Sequence, residues 1–161
     1  MSTEYSNYEK IRFALTKDEH GYPPVESELI WGRPDGNGRY SIKSIPFFAN
    51  LLAIGDVVLT KYNEHKELQY AKHESHSGHS TIRAIFRKKY KDYISSIREI
   101  LNILGCQSEL ANVGPLLAID IPSTVRLEVV RNLLSDDERN GLLSIEEACI
   151  WDWVAITVTC T

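Results

Sequence analysis

The sequence predicts an α+β protein: a small N-terminal β-barrel or sandwich module, a ferredoxin-like βαββαβ module after it, and an extra strand at the C-terminal end. Three observations predict this. Residues 8–76 hold five or six short extended runs, separated by turn residues about every ten positions, as small barrels and sandwiches do. Residues 79–150 read strand, helix, strand, strand, helix, strand, the split βαβ pattern. The segment 151–161 is rich in Trp, Val, Ile and Thr and reads as a strand that covers a sheet edge or is offered to a partner.

In the first module, Lys10 to Leu15 alternates with period two, and Asp18-Glu19-His20-Gly21 supplies a turn. Pro23-Pro24 blocks helix, and Val25 to Trp31 resumes an extended pattern. Asp35-Gly36-Asn37-Gly38 favours the positive φ angles of a tight hairpin, so Arg39 to Ile42 follows as a third strand. Phe47 and Phe48 are expected in the core. Gly55-Asp56 turns the chain into Val57 to Tyr62, and Asn63 to Lys66 turns it into Glu67 to Lys72.

In the second module, Thr81 to Phe86 is a β-branched and aromatic strand. Tyr90, Ile94, Ile97, Leu101 and Leu104 recur at helical spacing until Gly105 ends the run. Ser108 to Ala111 and Leu116 to Ile121 form a hairpin about the turn Asn112 to Pro115. Ser123 is the expected N-cap of a second helix with Leu127, Val130 and Leu134 on its buried stripe, and Leu143 to Cys149 is the last strand of the module.

Composition bounds the partners. The chain has 161 residues, 43% of them apolar and 25% charged, with a formal net charge of -4 spread evenly over both halves. General affinity for nucleic acid is therefore not expected. Cys106, Cys149 and Cys160 are odd in number and form no CxxC pair, which points to a reducing compartment. No apolar run approaches the roughly 20 residues of a membrane helix, and the Met1-Ser2-Thr3-Glu4 start is unlike a signal peptide. A soluble, cytoplasmic protein with no membrane partner and no cofactor is the expectation.

Taken together, Gly21-Tyr22-Pro23-Pro24, Trp31 with Arg33-Pro34, Ser44-Ile45-Pro46-Phe47-Phe48, Gly55-Asp56-Val57-Val58, Ser77-Gly78-His79-Ser80-Thr81 with Arg83, Leu104-Gly105-Cys106 and Glu146-Glu147-Ala148-Cys149 carry a resemblance. Over residues 10–150 the chain resembles an uncharacterised bacterial family known as a domain of unknown function. More loosely, it is similar to immunity proteins encoded beside secreted antibacterial toxins. The first resemblance implies no activity, and the second implies a binding role without pointing to residues. The tail after Ile150 departs from the usual ending of the family.

Four groups of residues are candidates for chemistry. His73, His76 and His79 recur at intervals of three with Glu74 between them, a donor set that zinc accepts. In an extended segment, side chains three apart point to opposite faces, so solvated loop histidines are the expectation and no metal is assigned. His79 beside Ser77 or Ser80 has the elements of a nucleophile and base, but sequence neighbours lack the geometry and there is no Gly-x-Ser-x-Gly elbow, which leaves local capping.

Arg83, Arg87, Lys88, Lys89 and Lys91, interleaved with Phe86, Tyr90 and Tyr93, form a basic cluster that reads as a solvated face before it reads as a nucleic-acid site. Asp136, Asp137, Glu138, Glu146, Glu147 and Asp152 form an acidic counterpart. It reads as ordinary solubility or as a surface that docks on a basic nuclease active site. Gly36-Asn37-Gly38 lacks the Gly and Lys of a phosphate-binding loop.

The expected function is that of a non-catalytic binding protein: an immunity or antitoxin-type inhibitor that occludes the active site of a cognate toxin, with a nuclease among the candidate targets. Asp136, Asp137, Glu138, Glu146 and Glu147 are the acidic contacts, and Trp151 and Trp153 the aromatic anchors. The alternative is a regulatory or enzymatic domain that binds a small anionic ligand or a metal at the seam between modules, with His79, Ser80 and Arg83 around it.

Overall fold

The computed structural model describes residues 7–87, 93–112 and 114–151. The fold is α+β and mostly sheet: five strands in one sheet, four in another, and two helices. The chain divides into two compact units, Met1–Ser77 and Gly78–Thr161. None of the helices among the described residues is long and apolar enough to cross a membrane. The expected strand over 151–161, with Trp153, lies outside the described residues apart from Trp151.

In the first unit β1 (Glu9–Ala14), β2 (Ser27–Pro34), β3 (Arg39–Ile42), β4 (Val57–Tyr62) and β5 (Leu68–Ser75) follow one another as antiparallel neighbours. A parallel bridge between Arg12 and Gln69 joins β1 to β5 and closes the sheet on itself. Period-two alternation sends Ile11, Phe13, Ile30, Tyr40, Ile42 and Val58 into a common core. The β2–β3 hairpin turns through Gly36, Asn37 and Gly38, all at positive φ, as its sequence demands. Phe47 and Phe48 are only half-buried, contrary to expectation, and Ala49 and Leu52 fill the core instead. The backbone there is held by Glu28, whose carboxylate accepts the amides of Phe47, Phe48 and Ala49 at 2.6, 2.9 and 2.8 Å, and the Phe48 ring packs edge-on against Tyr22, not in the core.

In the second unit β6 (Ser80–Phe86), α1 (Ile94–Leu104), β7 (Gln107–Leu110), β8 (Leu116–Ile121), α2 (Leu127–Arg139) and β9 (Leu143–Cys149) build an antiparallel sheet of order β7-β8-β6-β9. Ile94, Ile97 and Leu101 of α1 and Leu127, Val130 and Leu134 of α2 share a core with Ile82, Ala84, Phe86, Leu117, Ile119 and Ile121. Gly105, at φ 96°, closes α1 as its sequence predicts. Ser123 does not cap α2. The amide of Val125 donates to the carbonyl of Pro122 at 2.9 Å in a separate turn, and Arg126 takes the cap position with an extended backbone and no side-chain cap bond.

Candidate functional site

Strand alternation gives the four-stranded sheet two unlike faces. The residues that pack on the helices are apolar; the alternate residues of β6 and β8 include Thr81, Arg83 and Asp120, all buried. Register sets Thr81 opposite Asp120, and Arg83 opposite both Ala118 and Glu146. Burying a guanidinium or a carboxylate is costly unless each is paired and hydrogen-bonded, and both are. Nη1 of Arg83, whose side chain is 0% exposed, donates to Oε1 of Glu146 at 3.2 Å. Asp120 holds Nδ1 of His79 at 2.8 Å and 3.0 Å, one contact to each carboxylate oxygen.

An imidazole oriented in this way through Nδ1 directs its other nitrogen elsewhere, the arrangement that prepares histidine to hold a proton, an anion or a metal ion. Ser80 is engaged by Trp151, whose amide donates to its Oγ at 2.9 Å. Thus two of the three residues expected around a small ligand, Ser80 and Arg83, are committed to internal contacts, and His79 is held by a carboxylate far away in sequence. The basic cluster is not a single solvated face: Arg83 and Phe86 lie in β6 and are buried, because the strand runs through Phe86 before the helix begins. Lys88, Lys89, Tyr90 and Lys91 lie outside the described residues.

The comparisons with known proteins bear on this site through the family. Residues 28–145 match the family described as Domain of unknown function (DUF4265). The chain belongs to DUF4265. Its fold is similar to that of a chain described as "Novel crystal structure of a hypothetical protein from Neisseria gonorrhoeae", with a TM-score of 0.70, 21% sequence identity, and coverage of 89% of this chain and 97% of that chain. No curated protein matches. The stretch that matches DUF4265 includes β6, β8, His79 and the start of β9, but begins after β1.

The acidic residues are largely occupied within the second unit of this DUF4265 member. Glu147 takes a two-pronged contact from Arg131, at 2.6 Å from Nε and 3.0 Å from Nη2. Glu138 accepts the amide of Ile145 at 2.8 Å, Asp136 pairs with Arg139, and Glu146 is the counter-ion of Arg83. Asp137 is half-buried on the same helix. Asp120 escaped sequence reasoning, although a carboxylate inside the otherwise apolar run Leu116 to Ile121 was its signal.

The first unit carries a different surface, also unforeseen. Register pairs Lys10 with Trp31 and Arg12 with Leu29 on the outer side of β1 and β2. With Tyr62 and Lys66 these residues line a shallow groove of about 370 Å³. Leu29, Trp31 and Tyr62 remain 48%, 43% and 63% exposed, and the Lys10 ammonium lies 5.0 Å from the centre of the Trp31 ring. Arg12 is paired with Glu67, which holds the carboxyl below its usual range together with the amide of Asn63, the larger influence.

Proposed function

We propose that this chain is a non-catalytic binding protein of the immunity or antitoxin type, which neutralises a cognate bacterial toxin in the cytoplasm by covering its active site. In this reading the first unit is a small barrel module, the second a ferredoxin-like module, and residues 151–161 an additional strand. The strand order β7-β8-β6-β9 with two helices on one face supports the second assignment.

The observation that carries the binding reading is the groove of the first unit. A tryptophan, a tyrosine and a leucine exposed side by side, with lysines at the edge, have the composition of an interface centre and its polar rim. Asp137 remains the acidic candidate, since Asp136, Glu146 and Glu147 already hold arginines of their own unit and Glu138 holds the amide of Ile145.

The test is capture of partners from the native host by the tagged full chain, followed by washing at high salt. One toxin-like protein at near-equal stoichiometry is the expected result. Trp31→Ala with Tyr62→Ala should cut its retention by at least about tenfold, the cost of a hot-spot truncation, while leaving the circular dichroism of the chain unchanged. Capture that persists undiminished in that double variant removes the groove from the reading, and capture of no protein removes the inhibitor.

A second reading rests on His79. The two contacts from Asp120 fix the ring as a ligand-facing imidazole would be fixed, so a small anion or a metal at His79 is the alternative. A molecule that co-purifies with the chain and is lost in His79→Ala would favour it.

A further inference from the structure

A second carboxylate with histidines lies in the first unit, and the proposed function makes no use of it. Asp56, in the turn before β4, is buried to 1% exposure. Its Oδ1 accepts the amide of Ser77 at 2.8 Å and its Oδ2 the amide of Ala53 at 3.0 Å. Nε2 of His73 lies 3.0 Å from Oδ2, and Nδ1 of His76 lies 3.7 Å from the same oxygen. The two imidazole rings are 4.2 Å apart, centre to centre. Residues three apart in a strand would diverge, but β5 ends at Ser75, so His76 is free of strand alternation and returns to the side of His73.

We propose that Asp56, His73 and His76 bind one divalent ion of the zinc class. Two imidazoles and a carboxylate are a donor set that zinc, cobalt and nickel accept. Bonds of about 2.0–2.1 Å around a tetrahedral centre put neighbouring donor atoms about 3.3–3.4 Å apart, and the two observed distances, 3.0 and 3.7 Å, lie on either side of that. The longer one exceeds a hydrogen bond.

The two backbone amides on Asp56 do what outer-shell donors do at metal sites: they hold the carboxylate in one orientation. The side chains of His73 and His76 are 22% and 40% exposed, so an ion reaches the buried oxygen from solvent. It takes the lone pairs on Nε2 of His73 and Nδ1 of His76, and each neutral ring keeps its proton on the other nitrogen. The run His73, His76, His79 is thereby divided: His79 belongs to Asp120, Glu74 is drawn to Arg39 at 2.5 Å, and Asp56 supplies the third ligand instead.

The test is titration of the chelator-stripped full chain with zinc by calorimetry and with cobalt by its visible absorption. One ion per chain is expected, together with a higher melting temperature in zinc. His73→Gln and His76→Gln should each weaken binding by at least about 100-fold, beyond the 10–100-fold that outer-shell changes cost, and abolish the rise in melting temperature. His79→Gln and His65→Gln should change neither. Binding of no ion by the wild type overturns the proposal, as does binding that survives the double variant His73→Gln/His76→Gln or that disappears in His79→Gln.

Discussion

The two units bury charge in different ways. In the first, the buried charge among the described residues is Asp56, a loop carboxylate whose oxygens are met by two backbone amides, that of Ala53 in the same loop and that of Ser77 after β5, and by imidazoles. In the second, Arg83 and Asp120 sit on strands, and their partners are side chains of another strand or of the residue just before one, Glu146 and His79. Backbone amides are carried by the fold itself. A side-chain partner can be removed by one substitution, and it then leaves a charge buried without its counterpart. The first arrangement ties a loop to Ser77, after β5; the second sets paired charges among apolar residues on one face of a sheet.

The largest effect should follow from breaking the second arrangement. Glu146→Ala leaves the guanidinium of Arg83 in a site with 0% side-chain exposure and without that carboxylate, and loss of one partner from a buried ion pair costs about 3–5 kcal/mol. Arg83→Met, which removes the charge but keeps the apolar stem, should cost less than Glu146→Ala in urea denaturation. If the two variants are equally unstable, the loss is one of packing and the pair is not the reason.

A smaller, more local effect is expected in the first unit. Asp56→Ala removes the acceptor of the amides of Ala53 and Ser77; Ala53 is buried and its unsatisfied amide costs about 1–3 kcal/mol, whereas the half-buried Ser77 turns to water. Hydrogen exchange should accelerate first at those two amides, ahead of the strands. Uniform acceleration across the unit would mean that Asp56 supports the core as much as the loop, and the contrast between units would fail.

How much of this was legible in the sequence follows the same division. Strands that alternate or run apolar between turn residues could be bounded from sequence: Val57 to Tyr62, Leu116 to Ile121 and Leu143 to Cys149 are β4, β8 and β9. Local signals failed where a distant group competed with them. Phe47 and Phe48 looked like core, but Glu28 of β2 holds their amides in a loop, and Ser123 looked like a cap, but a turn at Pro122 postpones the helix. The candidate sites were half legible. His73, His76 and His79 could be picked out as imidazoles, but their partners Asp56 and Asp120 are set by loop closure and by the pairing of β6 with β8, which no short motif encodes.

The smallest expected effect extends the comparison to a neutral group. Cys106 is buried at the end of α1, and its thiol is pushed up to about 11, first by burial and then by the negative charge of Asp120. A thiol whose folded value is raised favours the folded state fully below its ordinary value of 9.0, and that contribution is lost as pH climbs toward 11. Urea stability should therefore fall by about 2 kcal/mol more in the wild type than in Cys106→Ala between pH 8 and pH 10.5. Tyr40 titrates in the same direction, because burial first and its hydrogen bond to Glu9 second raise its phenol, but it does so in both proteins and cancels in the difference. Asp120→Asn should remove part of the excess fall, since the first cause, burial, stays. If Asp120→Asn leaves the excess unchanged, burial alone raises the Cys106 thiol and the carboxylate of Asp120 plays no part in it.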